Sequence, residues 1–176
     1  AAAALASKDI DGAWLSSTAF ELQKNGVGRI IYDTRAVDAR LTRQTHVLVD
    51  GDFEQKHPEI VQKVVNGLVK TAAWVSAPEN EDAAFELWAK SGTPVDSLRA
   101  EQGDLTLARR YSPRLDEFFV DRYRATVAES KELGLLRGDV NVAGWVEPRY
   151  VETAIEQLGL QKLWPEYDAA NQPLSQ

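Results

Sequence analysis

Ile10-Asp11-Gly12-Ala13-Trp14-Leu15-Ser16-Ser17-Thr18 carries an apolar run straight into three consecutive hydroxyl residues. The run has the composition of a strand, and the hydroxyls stand where a helix begins. A short helix over residues 19–24 follows and closes at Asn25-Gly26, a pair suited to the left-handed end of a helix. Val27-Gly28-Arg29-Ile30-Ile31-Tyr32 then reads as a second strand. Strand, helix and strand in this order predict the βαβ unit of a parallel sheet. Upstream, four alanines, Leu5 and Ala6 read as the last turns of a helix, and methionine is absent throughout. A portion of a longer polypeptide is the expectation. Residues 33–42 are charged and read as a loop, and residues 44–49 alternate like a further strand that ends at Asp50-Gly51.

After Phe53 the pattern becomes helical. His57-Pro58-Glu59 places proline at the first helical position, and Ile60, Val61, Val64, Val65, Leu68, Val69 and Ala72 recur with helical period as far as Ala77-Pro78. Asn80 offers an N-cap to a second helix that runs to Gly92, and Thr93-Pro94-Val95-Asp96 has the outline of a capping box for a third that stops near Gly103. Ser112-Pro113 predicts the start of a longer helix with Leu115, Phe118, Phe119, Tyr123 and Val127 on one face, ending at Leu133-Gly134. Asn141 caps a short turn holding Val142 and Trp145, Pro148 opens a last helix to Gly159, and the polar tail after Trp164-Pro165 is expected to be loose. The fold class expected is α/β, with the strands within residues 1–52 and a helical C-terminal region over residues 53–176.

Composition narrows the chemistry. With 176 residues, 44% hydrophobic and 27% charged, the chain can bury a sizeable core, and no apolar run reaches the roughly 20 residues of a membrane span. A net charge of -7 disfavours a phosphate-backbone partner, so no nucleic acid is expected. The absence of cysteine removes disulfides, thiolate metal sites and a cysteine nucleophile. His46 and His57, the two histidines, have plain structural roles as a strand position and as part of the Pro58 helix start. No catalytic residue, cofactor or metal is expected.

A family resemblance enters through particular residues. Ala4-Leu5-Ala6-Ser7-Lys8-Asp9-Ile10-Asp11-Gly12-Ala13 resembles a segment written ALasGdiDa in periplasmic solute-binding proteins of ABC importers, in the sulfonate, nitrate and taurine group. Ser7-Lys8 stands where that segment has its usual glycine. Residues 26–34 resemble the next strand of the same lobe. Val47-Leu48-Val49 followed by Phe53-Glu54-Gln55-Lys56-His57-Pro58-Glu59-Ile60-Val61 is similar to a strand followed by F...HPdiV, the most specific of the matches. The resemblance holds from Ala4 to about Trp88 and weakens in the later helices. It implies a type II periplasmic-binding-protein fold, of which this chain supplies the C-terminal portion: residues 1–52 as part of the second α/β lobe, with a βαβ unit, a further strand and a ligand-facing helix start, and residues 53–176 as a helical C-terminal region packing on the lobes. It also implies a small anionic solute, a membrane permease as partner and an extracytoplasmic location.

Ser16, Ser17 and Thr18 are the candidate ligand residues, because a helix start presents free N–H groups and the positive end of the helix dipole to an oxyanion. Their ordinary role is capping. Trp14 reads first as a core aromatic and second as a wall against an organic tail. Arg43, between Thr42 and Gln44, offers a guanidinium fork for an oxyanion, although a solvated loop arginine is the plainer reading beside Arg35 and Arg40. Asp11 tightens a turn. Glu79, Glu81 and Asp82 form a helix first turn in solvent, and Phe118, Phe119 and Tyr123 form a core stripe. Two other classes stay open. One is an enzyme of the thiamine-pyrimidine-synthesis type on the same fold, and the other is a helical interaction module with Phe118, Phe119 and Trp145 as an exposed patch.

Overall fold

The computed structural model describes residues 1–34 and 46–174, which divide into two compact units. The first unit joins Ala1–Asp33 to Val75–Arg110, and the second joins Thr34–Trp74 to Tyr111–Gln176. The helices after Phe53 are therefore shared between the two.

In the first unit the helices are Ala2–Ala6, Ser17–Lys24, Glu81–Ala89, Val95–Gln102 and Leu107–Arg110, with a 3-10 turn at Pro78–Asn80. The core is Val75, Ala84, Phe85 and Leu107, with Trp88, Val95 and Leu98 packed on it. Arg99 lies 4.2 Å above the Phe85 ring and pairs with Glu81 at 2.8 Å and with Asp82. Glu81 and Asp82 are thus partnered rather than merely solvated. Ser17–Lys24 packs against Val95–Gln102, and Lys24 Nζ reaches Asp96 at 2.7 Å. That pairing commits Asp96 away from a capping box: Pro94 stands at the N-cap position, where no side chain caps the helix. Gly26 and Gly103 follow their helices at φ 69° and 62°, a region that a Cβ disfavours.

In the second unit Pro58 opens the 19-residue helix Pro58–Ser76. Its Val69 packs with Ala154, Ile155 and Trp164, flanked by Val65, Ala72, Val151 and Leu163. Polar side chains fix the register of this helix against Arg149–Gln157. Gln62 Nε2 donates to the Tyr150 carbonyl at 2.9 Å, and Asn66 Nδ2 donates to Gln157 Oε1 at 2.9 Å. Asn141 caps Val142–Trp145, its Oδ1 accepting from the Gly144 N–H at 3.1 Å.

Four further expectations need correction. The runs read as strands at residues 10–15, 27–32 and 46–49 are irregular or extended but unladdered, and an isolated bridge between Tyr167 and Pro173 is the β pairing recorded among the described residues. β-rich composition favours extended backbone, whereas a ladder needs a neighbouring strand. The α/β class is accordingly borne out only in part. Asp50-Gly51 is no strand end: Asp50 Oδ1 accepts from the Phe53 N–H at 3.0 Å and starts the helix Gly51–Lys56. The long helix begins at Glu117 rather than at Ser112-Pro113, because Asp116 Oδ1 takes the Phe119 N–H at 2.9 Å.

The tail is held, not loose. Trp164 is completely buried, Asp116 Oδ2 accepts from the Tyr167 N–H at 3.0 Å, and Arg114 binds the carbonyls of Gln161 and Trp164.

Candidate functional site

The site begins at the open end of Ser17–Lys24. Ser16 occupies the N-cap position, but no side chain there makes a capping hydrogen bond. Its carbonyl instead takes the Ala19 N–H at 2.8 Å and closes the first turn. The ordinary capping role of Ser16 is thus unfilled, and the N–H groups of Ser17 and Thr18 belong to the first turn, where a helix offers no internal acceptors. Ser16 is exposed, Ser17 is buried and Thr18 is half-buried. Such an end favours anions through its N–H groups and its dipole.

Trp14 stands two residues before the N-cap Ser16 and is 77% exposed, so its core reading does not hold. Its ring lies 5.8 Å from that of Tyr32 at an interplanar angle of 45°. Tyr32 is itself half exposed. This residue escaped the sequence reading, which gave it only a strand role. Gln23 helps to place it, since its Oε1 accepts the Ile30 N–H at 2.9 Å and ties residues 28–32 to the helix. The pair gives the first unit an aromatic surface with one polar tip, the Tyr32 hydroxyl. Asp11 lies in an exposed bend. Arg43 lies outside the described residues.

A cleft of about 270 Å³ in the same unit is lined by Phe20, Gln23, Lys24, Asp96, Ser97 and Ala100. It follows the later turns of the helix and does not include Ser16, Ser17 or Thr18. Its charged groups are spent on each other. The Lys24 hydrogen bond and charge hold the Asp96 carboxyl below the usual carboxylate range.

The second unit gathers aromatic residues that sequence left apart. Tyr123 Oη lies 2.7 Å from His46 Nδ1, and the Trp145 ring stands edge-on to both, 5.2 Å from His46 and 5.0 Å from Tyr123. Burial pushes the Tyr123 hydroxyl above its ordinary range. His46 is therefore part of an aromatic cluster instead of a strand position. Phe118 is only 5% exposed and faces the core, so the exposed patch of Phe118, Phe119 and Trp145 is not present as drawn from sequence. His57 ends Gly51–Lys56 and packs on Phe53, ring to ring at 5.1 Å. The Glu54 carboxylate binds Arg149 and accepts from the Tyr150 hydroxyl at 3.0 Å, and burial together with this bond pushes Tyr150 upward. Among the described residues no group of three or more His, Cys, Asp or Glu side chains is placed to hold a metal ion, and no helix is long and apolar enough to cross a membrane.

No family model matches the chain, and no curated protein matches it. Among solved structures it is similar to a protein assigned as the periplasmic sulfonate-binding protein SsuA of a sulfonate ABC transporter, from Methylobacillus flagellatus KT. The identity is 30% and the TM-score 0.81 over 95% of this chain and 51% of that one. The neighbour is a transport binding protein rather than an enzyme. The chain shares the fold of a periplasmic binding protein over almost all of its own length and spans about half the length of the protein it matches.

Proposed function

We propose that this chain is part of an extracytoplasmic solute-binding protein of an ABC importer and that it captures a small oxyanion, an aliphatic sulfonate above all. The observation that carries this reading is the likeness to a sulfonate-binding protein over 95% of the chain at a TM-score of 0.81. The local geometry supports it. Ser16, Ser17 and Thr18 supply hydroxyls and N–H groups for the three sulfonate oxygens, and Trp14 with Tyr32 supplies an apolar wall for an alkyl tail. Arg43 is the further candidate from sequence, for its guanidinium fork. Each hydrogen bond to an anion contributes about 1.5 to 3 kcal/mol, so two or three suffice for micromolar binding after the cost of association. The protein's overall negative charge does not oppose this, because the N–H groups act over a few ångströms while distant surface charges are screened.

In this mechanism the anion draws two lobes together by hinge closure, and the closed form docks on a membrane permease as a monomer. No catalytic step is involved. Calorimetry with alkanesulfonates, taurine and nitrate tests the reading. Alkanesulfonates are expected to bind most tightly, with a loss of about tenfold or more for each of Ser16→Ala, Ser17→Ala and Thr18→Ala in which an anion contact is removed. Unchanged affinity in all three variants removes this site.

A further inference from the structure

The second unit carries an open groove of about 480 Å³ between two of its own elements. One wall is a face of the helix Glu117–Glu132, on which Arg124, Val127, Ala128 and Lys131 follow one another at helical spacing. The other is residues 140–143, where Val142–Trp145 packs against that helix. Of the apolar lining, Val142 is buried and Val127 half-buried, while Val140 stays exposed. Asn141 asks little of a ligand, because its Oδ1 already accepts from the Gly144 N–H.

The charged lining is basic at both ends, in a chain of net charge -7. Arg124 and Lys131 stand about 10.5 Å apart along the helix axis, at about 1.5 Å per residue, with Val127 and Ala128 between them. Their stems can lie along this apolar surface while the charged heads stay at its rim. Each head has a carboxylate partner and N–H donors to spare. Arg124 pairs with Glu117 at 3.4 Å, longer than the about 2.7–2.9 Å of a good charge-assisted bond, and Lys131 pairs with Asp139, whose side chain is 97% exposed. Exposed pairs of this kind are weak and give way to a better-held anion. The volume lies in the range of small-molecule sites, about 300–1,000 Å³.

We propose that this groove is a binding site for a linear dicarboxylate, its apolar chain lying along Val127, Val140 and Val142 and its two carboxylates pairing with Arg124 and Lys131. The site lies wholly within the second unit and uses none of Ser16, Ser17 and Thr18, so it is independent of the solute proposed above.

The experiment is amide NMR on this chain with suberate, octanoate and succinate as probes. Suberate carries a carboxylate at each end of a methylene chain, octanoate has one carboxylate on a chain of equal length, and succinate has two on a chain too short to reach both cations. Suberate is expected to shift the amides of residues 127, 128 and 140–143 saturably below millimolar concentration, and the other two to bind at least about tenfold more weakly. Arg124→Gln and Lys131→Gln, both at exposed positions, are expected to keep the melting temperature and each to weaken suberate about tenfold, to the level of octanoate. Absence of saturable shifts at these amides, shifts centred on Ser17 and Thr18 in their place, octanoate as tight as suberate, or suberate binding untouched by both variants overturns the proposal. If a variant melts lower, salt on the unaltered chain replaces it: raising ionic strength from about 0.01 to about 1 M should weaken suberate more than octanoate, and equal weakening overturns the proposal as well.

Discussion

Arg114 donates its Nε–H to the carbonyl of Trp164 at 2.8 Å and so fastens the C-terminal segment to the start of the longest helix after Pro58–Ser76. The same guanidinium gives one Nη2–H to Gln161 O at 2.9 Å and pairs with Glu166 at 2.6 Å. With its side chain 14% exposed, this is a largely buried charged fork spent on two main-chain carbonyls and a carboxylate. Arg114→Ala is expected to cost about 2 to 4 kcal/mol in urea unfolding and to shift Trp164 fluorescence toward the red. Arg114→Lys recovers only part, because an ammonium cannot span the same three acceptors.

Each unit has its own core, and each is expected to report its own loss. Phe85→Ala in the first unit and Ile155→Ala in the second remove side chains that are 2% and 3% exposed. Costs of about 3 to 5 and about 2 to 5 kcal/mol follow from lost burial and residual cavity. Denaturant titration of the single variants measures both, and values below about 1 kcal/mol contradict the assigned cores.

The Lys24–Asp96 pair links Ser17–Lys24 to Val95–Gln102 and is sensitive to acid. Lys24 lowers the Asp96 pKa, so the pair's contribution is present above the unfolded aspartate value, near 3.9, and fades as pH falls through the lower folded value. The pair is exposed, and salt should weaken it. A carbon-detected NMR titration is expected to place Asp96 below an ordinary aspartate and to bring it back in Lys24→Gln. An unmoved Asp96 midpoint in that variant removes the link.

Trp14 gives the candidate site its own probe. Its emission is expected to be that of a solvated indole and to shift on sulfonate binding, while Trp14→Ala weakens alkanesulfonates with longer tails about fivefold, or about 1 kcal/mol. Nitrate, which has no tail, should be indifferent to the change.

What the sequence declares well is punctuation. Gly26, Pro58, Asn141 and Gly159 mark helix ends that the structure keeps, because capping and left-handed closure are decided within a few residues. Asp50 was equally local, with Asp52 and Glu54 in the first turn as a dipole signal, but the alternation of residues 44–49 drew it into a strand. Ser112-Pro113 masked Asp116 in the same way. The strands and the tail depended on distant partners. No local pattern announces that Trp164 docks under Arg114, fifty positions away, or that His46 meets Tyr123 and Trp145. At the candidate site the helix start was legible from Ser16-Ser17-Thr18, whereas the approach of Tyr32 to Trp14 was not, because it depends on how Gln23 holds the following segment.

Amide NMR with an added alkanesulfonate tests the central claim most directly, since it watches the N–H groups said to hold the anion. The account predicts that Ser17 and Thr18 amides shift most, saturably and at micromolar to submillimolar concentration, and that a triple alanine variant at residues 16–18, which keeps these amides but loses the hydroxyls, binds about tenfold or more weakly. Saturable binding that leaves those two amides unmoved while others respond would contradict it.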